Sequence, residues 1–247
     1  MKFKTDAKVS SMAFDDELNK MEGRIAVAQD EIVMAVMFHE TWKPTAYDED
    51  LHNRMGNSFA THSFHIVRAS LRREMLLALM RLWDNDLRAI PMTAIAFKLN
   101  DSKFFDALVT KRAADSDPAS NGLVEIMRRT METQRNDVVT LVKKYTAGGE
   151  RSAVFEKLRA LRNEFLAHRQ AIPTSCTGDD TTDQEIESFY DDNLKLVRLL
   201  LSLVRATAFD LAGAAEEYRQ HANFFWANAR GERTEGHPNY RPPIHGQ

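Results

Sequence analysis

Residues 152–169 read SAVFEKLRALRNEFLAHR, and this stretch shows most clearly which kind of fold to expect. Its apolar residues Val154, Leu158, Leu161 and Phe165 recur every three or four positions, the spacing that places side chains on one face of an α-helix. The remaining positions are mostly polar or charged, so the apolar face needs a partner surface. The stretch therefore predicts an amphipathic helix that packs within a larger helical assembly.

The same periodicity continues in both directions along the chain. Phe14, Leu18, Met21 and Ile25 begin an upstream seam that extends to Ala35. Lys43-Pro44 is expected to end this first helix, because the residue before a proline avoids helical conformation. The long helices are predicted over residues 12–40, 48–84, 118–146, 152–170 and 183–228, with short ones near 91–99 and 101–111.

The predicted helix 48–84 has two apolar stripes. Phe64, Leu71 and Met75 lie on one of them, while the neighbouring one comprises Met55, Phe59, His62 and Ile66. Two stripes indicate contact with more than one partner helix. On this interpretation His62 is a core histidine with satisfied hydrogen bonds, rather than a metal ligand.

The sequence contains few of the residues that interrupt helices and strands, with only 10 glycines and 7 prolines. An all-β chain needs more of both at its turns, so we predict an all-α fold, an antiparallel bundle of long helices. Residues 1–230 are expected to form a single domain. Residues 231–247 have no apolar periodicity and are expected to be a mobile C-terminal tail.

The composition restricts the class of protein. Hydrophobic residues make up 43% and charged residues 28%, which excludes a mainly disordered chain. No apolar run reaches the roughly 18 residues that a membrane span needs, and the first residues lack a secretory-signal pattern. Cys176 is the single cysteine, so no internal disulfide forms. We expect a cytoplasmic protein. Its net charge of −3 neither supports nor excludes nucleic-acid binding, and any such contact must come from local arginine clusters.

The helix at 152–170 also contains the candidate chemistry. Arg162 is followed by the polar Asn163, and His168 comes after five intervening residues. Spacing alone is not specific, since Arg230 and His237 make a similar match in the proline-containing tail. The match at Arg162 is favoured because it lies on an amphipathic helix, between other long helices.

An Arg-polar pair followed by histidine, at the end of a helix, resembles the signature of the HEPN superfamily. The rest of the chain resembles its AbiU-like abortive-infection branch over roughly residues 15–225, particularly where Arg81-Leu82-Trp83-Asp84 ends a long apolar helix. The resemblance implies a metal-independent endoribonuclease that acts as a toxin in phage defence or in a toxin–antitoxin pair. It assigns acid/base chemistry to His168, phosphate binding to Arg162 and an orienting role to Asn163.

This chemistry requires neither a metal nor another cofactor. RNA contains its own nucleophile, the 2′-hydroxyl, so cleavage needs a proton acceptor and a cation that stabilises the phosphorane. Histidine exchanges protons near neutral pH, and arginine can contact two phosphate oxygens. Arg159 and Arg169 are expected to bind substrate as a basic rim around the site. The acidic residues within 179–192 are expected to be solvated, with the alternative that they cover the basic cleft.

A straight helix separates Arg162 and His168 by about 120° around its axis and roughly 9 Å along it. Either the helix loosens before His168, or a second copy of the motif completes the site. HEPN proteins typically dimerise with two motifs facing one cleft, so the resemblance implies a homodimer, in addition to an RNA substrate and a possible cognate antitoxin. The alternative function is a non-catalytic helical module that binds RNA or protein.

Overall fold

The computed structural model describes residues 2–84, 91–116, 122–163 and 181–231, with side chains from Met12 onward. Within these ranges the chain forms helices and no strands, which confirms the all-α prediction. The helices are α1 (Lys2–Tyr47), α2 (Glu49–Met55), α3 (Phe59–Arg81), α4 (Met92–Leu99), α5 (Ser102–Ser116), α6 (Leu123–Tyr145), α7 (Ser152–Leu161), α8 (Asp183–Arg205) and α9 (Leu211–Ala227).

The first helix does not end at Lys43-Pro44 as predicted, because α1 continues through Pro44 to Tyr47. Proline removes one helical N–H donor, but it does not prevent the next residues from packing. Trp42 and Thr45 are both buried, and the Thr45 hydroxyl donates to the carbonyl of Trp42 at 2.6 Å. Tertiary packing therefore outweighs the local preference at this proline.

Two helices that were predicted to be continuous are broken. Residues 48–84 divide into α2 and α3 at Gly56, which has a φ of +50° and ends α2. Residues 183–228 divide into α8 and α9 after Ala206, which has a left-handed φ of +48°. The Arg112 guanidinium donates to the carbonyl of Val204 and so caps the end of α8.

Several predicted helix ends are confirmed. Thr182 and Glu185 form the reciprocal capping box at the start of α8. The hydrogen bond from the Thr182 backbone lowers the pKa of Glu185. After α6, Gly148 has a φ of +82°, and a Cβ on Gly149 would overlap the carbonyl of Lys143. Only glycine fits both positions.

The chain divides into two compact units. Unit 1 comprises Met1–Val33 and Leu77–Leu211, and unit 2 comprises Met34–Leu76 and Ala212–Gln247. In unit 1, helix α6 packs against α4, α5, α7 and α8. The single domain over residues 1–230 stays a prediction.

Unit 2 has its own small core of Leu51, Met55, Phe64, Ala222 and Trp226. Gly231, which the sequence placed in the tail, is buried and donates its N–H to the carbonyl of Arg54 at 3.0 Å. Well-packed structure therefore extends one residue beyond the predicted boundary. The predicted tail at 232–247 lies outside the described residues.

The second predicted stripe is a core surface only at Met55, which is buried in α2, and not along α3. Phe59 and Ile66 are exposed, at 70% and 55%, and His62 between them is exposed as well. The interpretation of His62 as a core histidine was therefore wrong. None of the helices in the described parts of the chain combines the length and the apolar character that crossing a bilayer requires.

Candidate functional site

The candidate site in unit 1 is built around Arg162, at the C-terminal end of α7. Its backbone remains helical, with φ −56° and ψ −51°, and the chain widens into a π-helical turn at Arg162 and Asn163. The Arg162 side chain is 26% exposed, and its Nη2 lies 3.1 Å from Oδ2 of Asp84. An arginine that solvent reaches at a helix end is thus held by a carboxylate from a distant part of the sequence.

The register of α7 explains why Arg162 reaches Asp84. Phe155 and Arg162 are seven residues apart, so they lie on the same face of α7, two turns from each other. The ring of Phe155 packs against Trp83 at a centroid distance of 5.3 Å. Adjacent residues Trp83 and Asp84 therefore contact the same face of α7, one through an aromatic ring and one through a charge.

The segment Arg81-Leu82-Trp83-Asp84 forms a tight turn at the end of α3. Each of its four side chains has its own environment. Arg81 Nε and Nη2 both lie 2.8 Å from Oε2 of Glu31, and Leu82 is fully buried. Trp83 enters the core, and Asp84 binds Arg162. The turn therefore links α1, the core of unit 1 and α7.

Trp83 is the centre of an aromatic cluster. Its ring lies 5.7 Å from that of Tyr145 and 6.2 Å from that of Phe189, in addition to Phe155. The indole Nε1 donates to Oδ1 of Asn193 at 2.8 Å, and Asn193 Nδ2 donates to the carbonyl of Phe189 at 2.7 Å. Because both polar atoms of the Asn193 amide are engaged, the indole has a fixed orientation.

A second polar contact lies beside the cluster. The Tyr145 hydroxyl donates to Asp192 Oδ2 at 2.7 Å, and Lys144 Nζ lies 2.6 Å from the same oxygen. Burial, together with the hydrogen bond to Asp192, raises the pKa of Tyr145 well above its ordinary value. The Tyr145 hydroxyl therefore stays protonated to higher pH than that of an ordinary tyrosine, and Asp192 is held by two polar contacts rather than being a freely solvated acid.

The family model for AbiU2, HEPN_AbiU2, matches residues 14–225. The chain belongs to this HEPN family. No curated protein and no solved structure gives a match to the chain.

In this AbiU2-family protein the predicted site residues have different outcomes. Arg162 is partly exposed and held by Asp84, and Asn163 is exposed directly after it. Arg159 is exposed one turn earlier and forms a salt bridge with Glu156 at 2.5 Å. The remaining two predicted site residues, His168 and Arg169, lie outside the described residues.

Sequence reasoning missed two residues that organise the site. The sequence marks Asp84 only as part of the segment that resembles the family, and no local pattern connects it with Arg162. Asn193 had a detectable signal, because it lies four residues from both Phe189 and Val197, on the buried face of α8. A polar residue at such a position usually has a specific hydrogen-bond partner.

Among the described residues near Arg162, the site shows no cluster of metal ligands. Within the described ranges, no group of three or more histidine, cysteine, aspartate or glutamate side chains is arranged to hold a metal ion. The chemistry that the described residues can supply is therefore that of an oriented cation, Arg162, with a neighbouring amide, Asn163.

Proposed function

We propose that this AbiU2-family protein is a metal-independent endoribonuclease that acts in the cytoplasm, with Arg162, Asn163 and His168 as its catalytic residues. The observation that supports this most strongly is the oriented, partly exposed guanidinium of Arg162 at the end of α7. A guanidinium has five N–H donors and can bind two oxygens of one phosphate. Its exposure leaves a backbone phosphate able to reach it.

In the proposed reaction the 2′-oxygen of RNA attacks the adjacent phosphorus, and the bond to the 5′-oxygen of the next nucleotide breaks. The proton of the 2′-hydroxyl passes to a base, and the departing 5′-oxygen receives a proton. Histidine suits both transfers because its ordinary pKa is about 6.5. His168 has this role, Arg162 stabilises the negative charge of the phosphorane, and the products are a 2′,3′-cyclic phosphate and a 5′-hydroxyl.

The basic rim is part of the proposal. Arg159 lies on the exposed side of α7, one turn before Arg162, and its salt bridge to Glu156 joins two exposed side chains. Such pairs are weak in water, so a phosphate can displace the carboxylate. Arg159 and Arg169 would bind neighbouring phosphates of the substrate and contribute mainly to affinity.

The direct test compares purified wild type with Arg162→Ala and His168→Ala on end-labelled RNA, in the presence of EDTA. We expect the wild type to release fragments that end in a cyclic phosphate or its hydrolysis product, and both variants to lose cleavage while they keep their helical circular dichroism. RNA with a 2′-O-methyl group at the scissile nucleotide should resist cleavage, because its nucleophile is blocked.

Two exposed residues provide matched controls. Arg129→Ala removes an exposed arginine from α6, and His62→Ala removes an exposed histidine from α3. Both control variants should cleave RNA like the wild type. Full activity in His168→Ala would exclude His168 as the catalyst, and RNA binding without cleavage by the wild type would favour the non-catalytic module.

Membership of an abortive-infection family supports a toxin role, in phage defence or with a cognate antitoxin. Induced expression of the wild type should arrest growth and fragment cellular RNA, whereas His168→Ala at the same protein level should do neither. Equal growth arrest by both proteins would contradict a toxic ribonuclease.

A further inference from the structure

We infer that Asp84 is a positioning residue for the proposed cleavage reaction, and that it acts by holding the guanidinium of Arg162 in one orientation. The inference rests on the proposed function, in which Arg162 stabilises the phosphorane. The contact itself is a salt bridge of 3.1 Å between Asp84 Oδ2 and Arg162 Nη2. Its two residues are 78 positions apart in the sequence, so it forms only when the end of α3 and the end of α7 pack together.

The backbone holds the Asp84 carboxylate in place. Three successive N–H groups, those of residues 82–84, donate to carbonyls three residues earlier, at 3.2, 3.1 and 3.4 Å. The two residues before Asp84 are buried, and Trp83 is further fixed by its hydrogen bond to Asn193. A short side chain on such a turn has little freedom, so Asp84 provides a rigid reference point for a long, flexible partner.

The partner helix is registered against the same turn. Phe155 packs on Trp83, and Arg162 follows two helical turns later on the same face of α7. The aromatic contact sets the position of α7, and the salt bridge then sets the direction of the last side chain. The two contacts thus have different roles, one for the helix and one for the guanidinium.

The geometry favours positioning over charge neutralisation. Asp84 is 34% exposed and Arg162 is 26% exposed, so solvent screens the pair and the attraction between them is modest. A salt bridge through Nη2 engages at most two of the five N–H donors of a guanidinium. A phosphate can approach the remaining donors while Asp84 keeps the planar group from rotating. A preorganised cation needs no rearrangement as negative charge develops, so Asp84 is expected to raise the rate of the chemical step.

The test is a double-mutant cycle on RNA cleavage. It uses the wild type, Asp84→Ala, Arg162→Ala and the double variant at saturating RNA under single-turnover conditions, with enzyme excess and reaction times long enough to quantify the residual rate that remains without Arg162. Asp84→Ala should slow cleavage by about 10- to 100-fold, the loss that misplacement of a catalytic group produces. Its affinity for uncleavable 2′-O-methyl RNA should change by less than about threefold, since the cation is still present.

Non-additivity distinguishes positioning from a structural role. The double variant should be no slower than Arg162→Ala, because Asp84 has nothing to orient once the guanidinium is gone. Asp84→Asn should recover part of the rate, since its Oδ1 can accept the same hydrogen bond. Independent losses that multiply in the double variant would overturn the inference.

Glu31→Ala is the matched control. Glu31 pairs with Arg81 on the same turn at 2.8 Å, so this variant also removes a salt bridge from that turn but makes no change beside Arg162. It should cleave at the wild-type rate even where its thermal stability falls. If Glu31→Ala and Asp84→Ala lose rate equally, the turn itself is required and Asp84 has no special role.

A readout that is independent of cleavage separates this inference from the proposed function. The Nε–Hε signal of Arg162, assigned by its loss in Arg162→Ala, should broaden or shift toward the free-arginine position in Asp84→Ala. A wild type that cleaves RNA, with an Asp84→Ala variant equal to or faster than it, overturns the inference alone. A wild type that cleaves no RNA overturns the proposed function and the catalytic meaning of Asp84, whatever the signal shows.

Discussion

Replacing Trp83 by phenylalanine is expected to destabilise the protein through one identifiable polar atom. Trp83 is 7% exposed and its indole Nε1 donates to Oδ1 of Asn193, which is 1% exposed. Phenylalanine keeps most of the ring but has no N–H donor. The substitution therefore leaves the Asn193 oxygen buried without its partner.

The expected loss has two parts. A buried acceptor without a hydrogen bond costs about 1–3 kcal/mol. The smaller ring also removes the pyrrole part of the indole from contacts with Tyr145, Phe155 and Phe189, which corresponds to about 1–2 kcal/mol at ~0.8 kcal/mol per buried CH₂-sized group. Trp83→Phe should therefore lower the free energy of unfolding by about 2–5 kcal/mol.

Urea unfolding, followed by circular dichroism, measures this difference if the m-values agree. The decisive variant is Trp83→Phe combined with Asn193→Leu, because leucine resembles asparagine in shape and removes the stranded acceptor. The double variant should be more stable than Trp83→Phe by about 1 kcal/mol or more. A double variant less stable than Trp83→Phe would refute the assignment of the loss to Asn193.

Trp226→Phe is the matched control in unit 2. Trp226 is buried to the same degree, at 6% exposed, but its Nε1 donates to the main-chain carbonyl of Thr41 inside α1. That carbonyl keeps its helical hydrogen bond, so the polar part of the loss should be smaller than for Trp83→Phe. The control should also leave RNA cleavage unchanged at temperatures where the protein is folded.

Two further predictions concern acid stability and assembly. Burial alone would raise the pKa of Glu40, but hydrogen bonds and charge from His39 and Arg219 outweigh burial and lower the pKa below 4.5. As the pH falls, the unfolded state therefore binds this proton before the folded state does, and the folded state loses stability. Thermal unfolding should show that the wild type loses its stability advantage over Glu40→Gln as the pH falls through the lowered pKa. If the protein is a homodimer with shared sites, a mixture of Arg162→Ala and His168→Ala subunits should recover about a quarter of wild-type cleavage. After subunits exchange, about half of the dimers contain one subunit of each kind, and one of the two sites in such a dimer is intact. Inactive mixtures, or a monomer by light scattering, would contradict shared sites.

The helices themselves were predictable, whereas several of their breaks were not. Apolar periodicity located each long helical segment, because burial of one face is what stabilises helices in proteins. The break at Ala206 has no local signal, since alanine strongly prefers right-handed conformation. It depends on tertiary contacts, including the bond from Arg112 to the carbonyl of Val204 at the end of α8. Helix continuity through Pro44 likewise depends on burial of Trp42.

The sequence identifies candidate residues for the site but does not predict their contacts. Arg162 and Asn163 stood out because their residue types suit phosphate chemistry and they follow an amphipathic helix. The Asp84 contact could not be read from spacing, because a salt bridge between remote segments exists only after the helices pack. For Asn193 the sequence gives partial information. Its position on the apolar face of α8 indicates that it has a buried hydrogen-bond partner, but it does not identify that partner as Trp83.

The salt bridge to Asp84 bears on how the contribution of Arg162 divides between rate and affinity. It places a carboxylate 3.1 Å from the Arg162 guanidinium. Under the proposed function this negative charge stabilises the guanidinium and opposes an approaching phosphate, so Arg162 is expected to add little to RNA affinity in the ground state. The phosphorane carries more negative charge than the phosphodiester and gains more from a fixed cation. Removal of Arg162 should consequently reduce the cleavage rate far more than RNA affinity, which would depend on exposed arginines such as Arg159.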